Sequence, residues 1–165
     1  MTTDMSNKLQ HLAEQNMEDI EKGKAEGKSA IGFYCVFTPT EIAVAANAIP
    51  LPLCGTRNDP IAKAEETLPR NLCPLIKSSF GFAVSKTCPF VEASDLIVGD
   101  TTCDGKKKMF ELLNRYKKTH VLQLPQNQNS DVALPMWRRE LDDFRGVVEK
   151  QTGVEITERA SQICY

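Results

Sequence analysis

Residues 30–53 read AIGFYCVFTPTEIAVAANAIPLPL. The run from Ala30 to Phe37 is continuously apolar and partly aromatic, which suits a strand covered on both faces, as in a parallel sheet. It stops abruptly at Thr38-Pro39. A Thr before a Pro, a Glu shortly after and then an alanine-rich run are helix start signals, with Thr38 and Glu41 as the expected caps. The short run Ile49 to Leu53 then predicts a second strand.

Outward from this unit the same alternation continues. Toward the N-terminus, Leu9, Leu12, Ala13, Met17 and Ile20 recur at helical spacing, and Gly23 and Gly27 punctuate a polar stretch, so residues 1–29 read as a helix and linker. Toward the C-terminus, residues 60–67 look helical, and 74–81 read as a short helix or an irregular segment. SDLIVG at 94–99 predicts a third strand, followed by a helix beginning near Asp104. In the segment from Lys106 to Lys118, Met109, Phe110, Leu112, Leu113 and Tyr116 can face a core while the lysines stay wet. HVLQL at 120–124 is a fourth strand, and residues 134–152 form a long helix with Trp137, Leu141, Phe144 and Val148 along one side. Strands alternating with helices imply right-handed crossovers. The expected fold is therefore α/β: a small doubly wound, Rossmann-like parallel sheet with helices on both faces. Ligands belong beyond the carboxyl ends of its strands.

Composition excludes several classes. A chain of 165 residues, 41% hydrophobic and 25% charged, is sized for one domain with a real core. Its net charge of −2 gives no broad attraction to a phosphate backbone or an anionic membrane, so neither nucleic acid nor membrane is an expected partner. The charged first 28 residues lack the apolar core of a signal peptide, which predicts a cytoplasmic protein. No GxGxxG, GxxxxGK[ST] or GxSxG occurs, so the usual dinucleotide, nucleotide-phosphate and serine-hydrolase readings lack their motifs.

Six cysteines in a reducing compartment direct attention to metal or redox chemistry. Cys35 ends the first apolar run and Cys103 follows the third, where a doubly wound sheet collects function. NLCPL around Cys73, KTCPF around Cys88 and TTCDG around Cys103 set thiols in loops beside Pro or Gly, and Cys73 and Cys103 precede helix starts, which stabilise thiolate. The gaps match neither a zinc ribbon nor a clustered ferredoxin run, so ligands would have to converge from separate loops. Cys54 in LPLCGT reads equally as a ligand or as a small core residue, and Cys164 reads as packing. His11 and His120 lie in different elements, and neither reads as a base. Lys106, Lys107 and Lys108 could meet an anion, but a charge run at a helix start is usually a solvated face.

GFYCVFTPTEIAVAANAIPLPLCGT, ETLPRNLCPLIKSSFG, CPFVEASDLIVGDTTCDGKKKMFELL and HVLQLPQNQ together resemble the D-component of 2-hydroxyglutaryl-CoA dehydratase and the related benzoyl-CoA reductases, over about Ile31 to Ile156. LPRNLCPLIKSS with TTCDGKKKM is most similar to the double-cubane cluster branch. The resemblance implies an oxygen-sensitive reductive component that receives a low-potential electron from an ATP-hydrolysing iron-sulfur activator. That electron makes a ketyl radical from a 2-hydroxyacyl-CoA or reduces an aromatic ring. It implies an iron-sulfur cluster, 4Fe-4S or double-cubane 8Fe-9S, ligated by Cys73 and Cys103 with a third cysteine from a later domain. Cys35 and Cys88 match the extra thiolates of the double-cubane pattern, Cys54 less closely. Thr38-Pro39 and Glu41 match the loop near which an acyl-CoA or other small substrate lies. A homodimer, or a heterodimer with a related subunit, is implied.

The organisation expected from this likeness is a cluster-binding domain over 30–156 and a divergent tail over 157–165, with the family's second domain absent, as in a truncated gene or a single-domain piece. An alternative expectation is a non-catalytic cluster-binding or electron-transfer partner, and a third is a cofactor-free α/β domain whose cysteines only pack.

Overall fold

The computed structural model describes residues 2–34 and 37–157. Helix α1 (Thr2–Ala25) leads into β1 (Ala30–Phe33), α2 (Thr40–Ala45) and β2 (Ile49–Pro52). Three helices follow, α3 (Ile61–Ala64), α4 (Pro74–Ser85) and α5 (Pro89–Ala93), before β3 (Leu96–Asp100), α6 (Asp104–Leu113), β4 (Thr119–Leu122) and α7 (Ala133–Thr152). The expected alternation holds throughout, with two differences. The uncertain segment at 74–81 is a regular helix running to Ser85, and α5 falls where no separate element was expected. Pro at the first helical position starts both, since its missing N–H has no intrahelical partner to lose. Helix α2 is capped by Pro39, one residue later than the expected Thr38, with no side-chain capping bond.

All four strands are parallel, in the order β2-β1-β3-β4. Ile31 sits opposite Leu96 and Phe33 opposite Val98, and β3 continues the register with Val98 opposite His120. Because side chains alternate across a strand, Ile31, Phe33, Leu96, Val98 and Leu122 fall on one face. They pack there with Ala43 and Ala46 near α2 and with Phe144 and Val148 of α7. Ile97 with Leu53 faces the other way, onto Ile76 and Phe80 of α4 and Met109, Phe110 and Leu113 of α6. Both faces are therefore covered, which is why β1 and β3 are buried along their whole length. The chain steps from β1 to β2 in one direction and from β3 to β4 in the other. With right-handed crossovers, that reversal sends α2 and α6 to opposite faces and opens a switch point between the carboxyl ends of β1 and β3.

Asp95 joins the N-terminal helix to this sheet. Its Oδ1 accepts from Lys24 Nζ at 2.8 Å and its Oδ2 accepts from the Ala30 N–H at 2.8 Å, while Lys24 also donates to the Ala93 carbonyl at 2.7 Å. Ile20 of α1 then covers Ala30 and Leu51. Among the described residues, no helix is long and apolar enough to cross a membrane.

His120, read from the sequence as no convincing base, is a packing residue of β4. Its ring stacks on Phe144 at 5.4 Å between centroids, and Nε2 is buried without a hydrogen-bond partner. Burial pushes its pKa below the usual histidine value, with Glu140 and Asp143 opposing only weakly. The unfolded chain therefore takes up a proton near pH 6.5 while the folded chain still resists it. Stability is present above that pH and falls as pH drops toward the lower folded-state value. Urea titrations at pH 7.5 and 5.5 are expected to show this loss, and His120→Phe is expected to flatten it in that window. An unchanged pH slope in the variant would count against the assignment.

Candidate metal centre

The cysteines occupy a recurring position in this fold. Cys73, Cys88 and Cys103 are the N-cap residues of α4, α5 and α6, each with extended ψ and none with a side-chain capping bond. Their carbonyls accept the first helical bonds, from Lys77 N–H at 3.1 Å, Glu92 N–H at 3.0 Å and Lys107 N–H at 3.1 Å. The thiols are thus left outside the helical bonding, at the N-terminal ends of the three helices. Cys73 and Cys103 are exposed and Cys88 is half-buried.

The ends of α4 and α6 meet. A Cβ built on Gly105 would lie 2.8 Å from Ile76 Cδ1, 2.9 Å from Leu72 Cδ1 and 3.8 Å from Cys103 Sγ. Leu72 and Ile76 bracket Cys73, so the absence of a side chain at Gly105 lets the loop bearing Cys103 close onto the segment bearing Cys73. Cys54, exposed at the end of the second strand run, lines two hollows. It shares a small one with Leu75, Ile76 and Lys106 at the start of α4 and α6, and a larger one of about 320 Å³ with Cys88 and Arg57. Tyr34 borders both, its hydroxyl donating to the Ser79 carbonyl at 3.3 Å. Burial raises the Tyr34 phenol's pKa, reinforced by the Cys88 and Cys54 thiolates. Cys35 and Cys164 lie outside the described residues.

Asp100 and Tyr34 escaped the reading of the sequence, because each lies in a run whose apolar neighbours masked it. Asp100 is fully buried at the end of β3. Its Oδ1 accepts from the Thr102 hydroxyl at 2.6 Å and from the Thr102 N–H at 3.2 Å, which folds the chain into the turn that presents Cys103. Oδ2 is buried without a partner. Lys106 Nζ reaches Thr102 Oγ1 at 3.4 Å, extending the brace into α6. The neighbouring lysines stay on the solvated face, Lys107 against Asp104 and Lys108 against Glu111. Leaving a buried hydrogen-bonding group without its partner costs about 1–3 kcal/mol, so Asp100→Ala is expected to speed amide exchange at Thr102 by roughly tenfold. Exchange of the β1 and β3 amides serves as the control for global unfolding.

The donor set has the right chemistry for a soft metal centre and is incomplete in number. Thiolates suit iron-sulfur clusters and zinc. Yet among the described residues no three His, Cys, Asp or Glu side chains come together closely enough to hold a metal ion.

A doubly wound sheet with cysteines capping three helices on one of its faces defines the class to which comparison with known proteins gives a family. Residues 35–162 match the model of the 2-hydroxyglutaryl-CoA dehydratase D-component, and the chain belongs to that family. It is 47% identical over 137 residues to YjiM of Escherichia coli (strain K12), provisionally named a dehydratase subunit, covering 83% of this chain and 36% of that protein. It is 24% identical over 153 residues to the lactoyl-CoA dehydratase subunit beta of Anaerotignum propionicum, covering 92% of this chain and 40% of that protein. The chain thus spans well under half the length of these curated relatives.

Proposed function

We propose that this chain supplies thiolate ligands to an iron-sulfur cluster in a reductive 2-hydroxyacyl-CoA dehydratase-like or benzoyl-CoA reductase-like component, with Cys73 and Cys103 as the primary pair. The observation that carries the reading is the closure of the Cys103 turn onto Leu72 and Ile76, which flank Cys73, in a chain of this family. Cys88 and Cys54 act as additional thiolates of a double-cubane arrangement, and Cys35 is a further candidate. The ligands that the described residues lack come from Cys35 or from a second segment of the assembled enzyme, as in a dimer with a related subunit.

When bound, the cluster supplies one electron at low potential, delivered to it by an ATP-hydrolysing activator. The protein's own part is to bind and orient. Asp100 fixes the turn through Thr102, and Leu72 and Ile76 pack against Gly105 so that the Cys103 turn is held beside the start of α4. An acyl-CoA substrate belongs at the same sheet end, beyond β1 and β3.

Anaerobic purification followed by iron and sulfide analysis and a visible absorption spectrum tests this. A brown protein with iron and sulfide in near-equal amounts is expected. A colourless one that anaerobic reconstitution cannot load would leave the cysteines as packing residues.

A further inference from the structure

Lys77 of α4 is a buried cation, only 7% exposed. A buried ammonium is costly unless its donors are satisfied, and lysine is seldom found so. Here Nζ donates to Glu65 Oε1 at 2.7 Å and to the Arg70 carbonyl at 2.8 Å. Glu65 ends α3, and Arg70 belongs to the turn that leads into Cys73. Two roles could account for such a residue, a tie between α3 and α4 or a grip on that turn. The helices are already held together without it, since Pro60 presses on Gly81 and Ala64 shares one core with Ile76 and Phe80. An ion pair between packed elements adds little that an apolar pair would not supply. The bond to the Arg70 carbonyl has no apolar substitute. Lys77 stands one helical turn beyond Cys73, and side chains on a helix lean toward its N-terminus, so the ammonium lies over the turn that precedes the thiol. The Leu72 N–H closes that turn on the Pro69 carbonyl at 3.1 Å, and the Leu72 side chain packs on Gly105 of α6.

We infer that Lys77 is the positioning residue for Cys73: its ammonium fixes the turn of residues 69–72 and, through Leu72, holds the thiol in place against the Cys103 turn. The inference rests on the cluster reading above and deepens it. Asp100 acts in the same way on the other side, from three residues before Cys103, so each of these two thiol-bearing turns is set by one buried charge. The signs differ because the groups gripped differ. Lys77 holds a carbonyl, which accepts, and Asp100 holds an N–H and a hydroxyl, which donate.

The test compares the full parent chain with Lys77→Met and Glu65→Gln. Lys77→Met removes both bonds, whereas Glu65→Gln breaks the ion pair and leaves the bond to Arg70. One readout is amide exchange at Leu72 in the unloaded chain, with Phe80 in the middle of α4 as the reference for opening of the helix. The other is the rate at which a ferrous chelator strips iron from the anaerobically reconstituted chain. For Lys77→Met, Leu72 exchange and iron loss are each expected to rise roughly tenfold while Phe80 stays unchanged, and Glu65→Gln should leave both near the parent values. Should Lys77→Met not fold, Lys77→Gln, shorter and uncharged, carries the same comparison. Unchanged exchange at Leu72, or a rise that Phe80 shares equally, overturns the inference. An equal effect of Glu65→Gln does so too, because Lys77 would then be a tie between helices. Faster exchange with unaltered iron loss also overturns it, since the turn would move without moving the thiol. A parent chain that takes up no iron sinks the cluster reading instead, and Leu72 exchange then decides by itself whether Lys77 holds the turn.

Discussion

Cys73→Ser and Cys103→Ser are each expected to lower iron and sulfide per chain at least roughly tenfold after anaerobic reconstitution, with loss of the visible band, because a missing thiolate costs more than the tenfold to hundredfold typical of outer-shell changes. The loss is expected to be a binding defect. Both residues are exposed and neither side chain caps its helix, so far-UV circular dichroism and the thermal midpoint should stay near those of the parent chain. Cys88→Ser and Cys54→Ser separate the cluster types. If the cage is a double cubane, each lowers iron without abolishing it; for a single 4Fe-4S centre held at the Cys73 and Cys103 end, both variants load fully. Full iron content in Cys73→Ser would remove the primary pair and with it the proposed centre.

The second large effect concerns the support beneath that centre. Gly81 lies in the middle of α4, where a Cβ would sit 2.1 Å from the Pro60 carbonyl oxygen and 2.7 Å from its carbon. These are backbone atoms, and the same carbonyl accepts the Ala64 N–H at 3.2 Å, so neither α3 nor α4 can yield cheaply. Gly81→Ala should cost about 3 kcal/mol, at the upper end for overpacking. For a chain of this size that lowers the thermal midpoint by roughly 6–12 °C. Gly146 is the control, a helical glycine in α7 with nothing within 4 Å of its built Cβ. There the alanine should stabilise by about 0.5–1 kcal/mol through helix propensity alone. Opposite signs from the same chemical change would identify close approach of α3 and α4, rather than helix preference, as the reason for Gly81. A neutral Gly81→Ala would show that the two helices separate freely.

Much of this architecture is legible in the sequence because its determinants are local. The apolar run at Ala30 to Phe33, the Pro start of α4, and the amphipathic repeat of Met109, Phe110 and Leu113 each bias a short stretch of backbone, whatever lies far away. The helix-terminal position of Cys73 and Cys103 is visible for the same reason, since a cap is defined by the residues within one turn of it. Other features were not legible. Asp100 looks like the polar end of a strand until β1 and β4 close over it, and Tyr34 looks like one more aromatic of a core strand until Ser79, Cys54 and Cys88 gather around its hydroxyl.

By itself, then, the amino-acid order determined the alternation of parallel strands and helices and the placing of thiols at helix starts, because hydrophobic period and proline geometry act over a few residues. Only the tertiary structure decided the strand order β2-β1-β3-β4, the assignment of each helix to a face, and the contact of Leu72 and Ile76 with Gly105. That contact joins segments some thirty positions apart in the chain. No local preference encodes it; it forms because the apolar faces of α4 and α6 share one side of the sheet and must exclude water together.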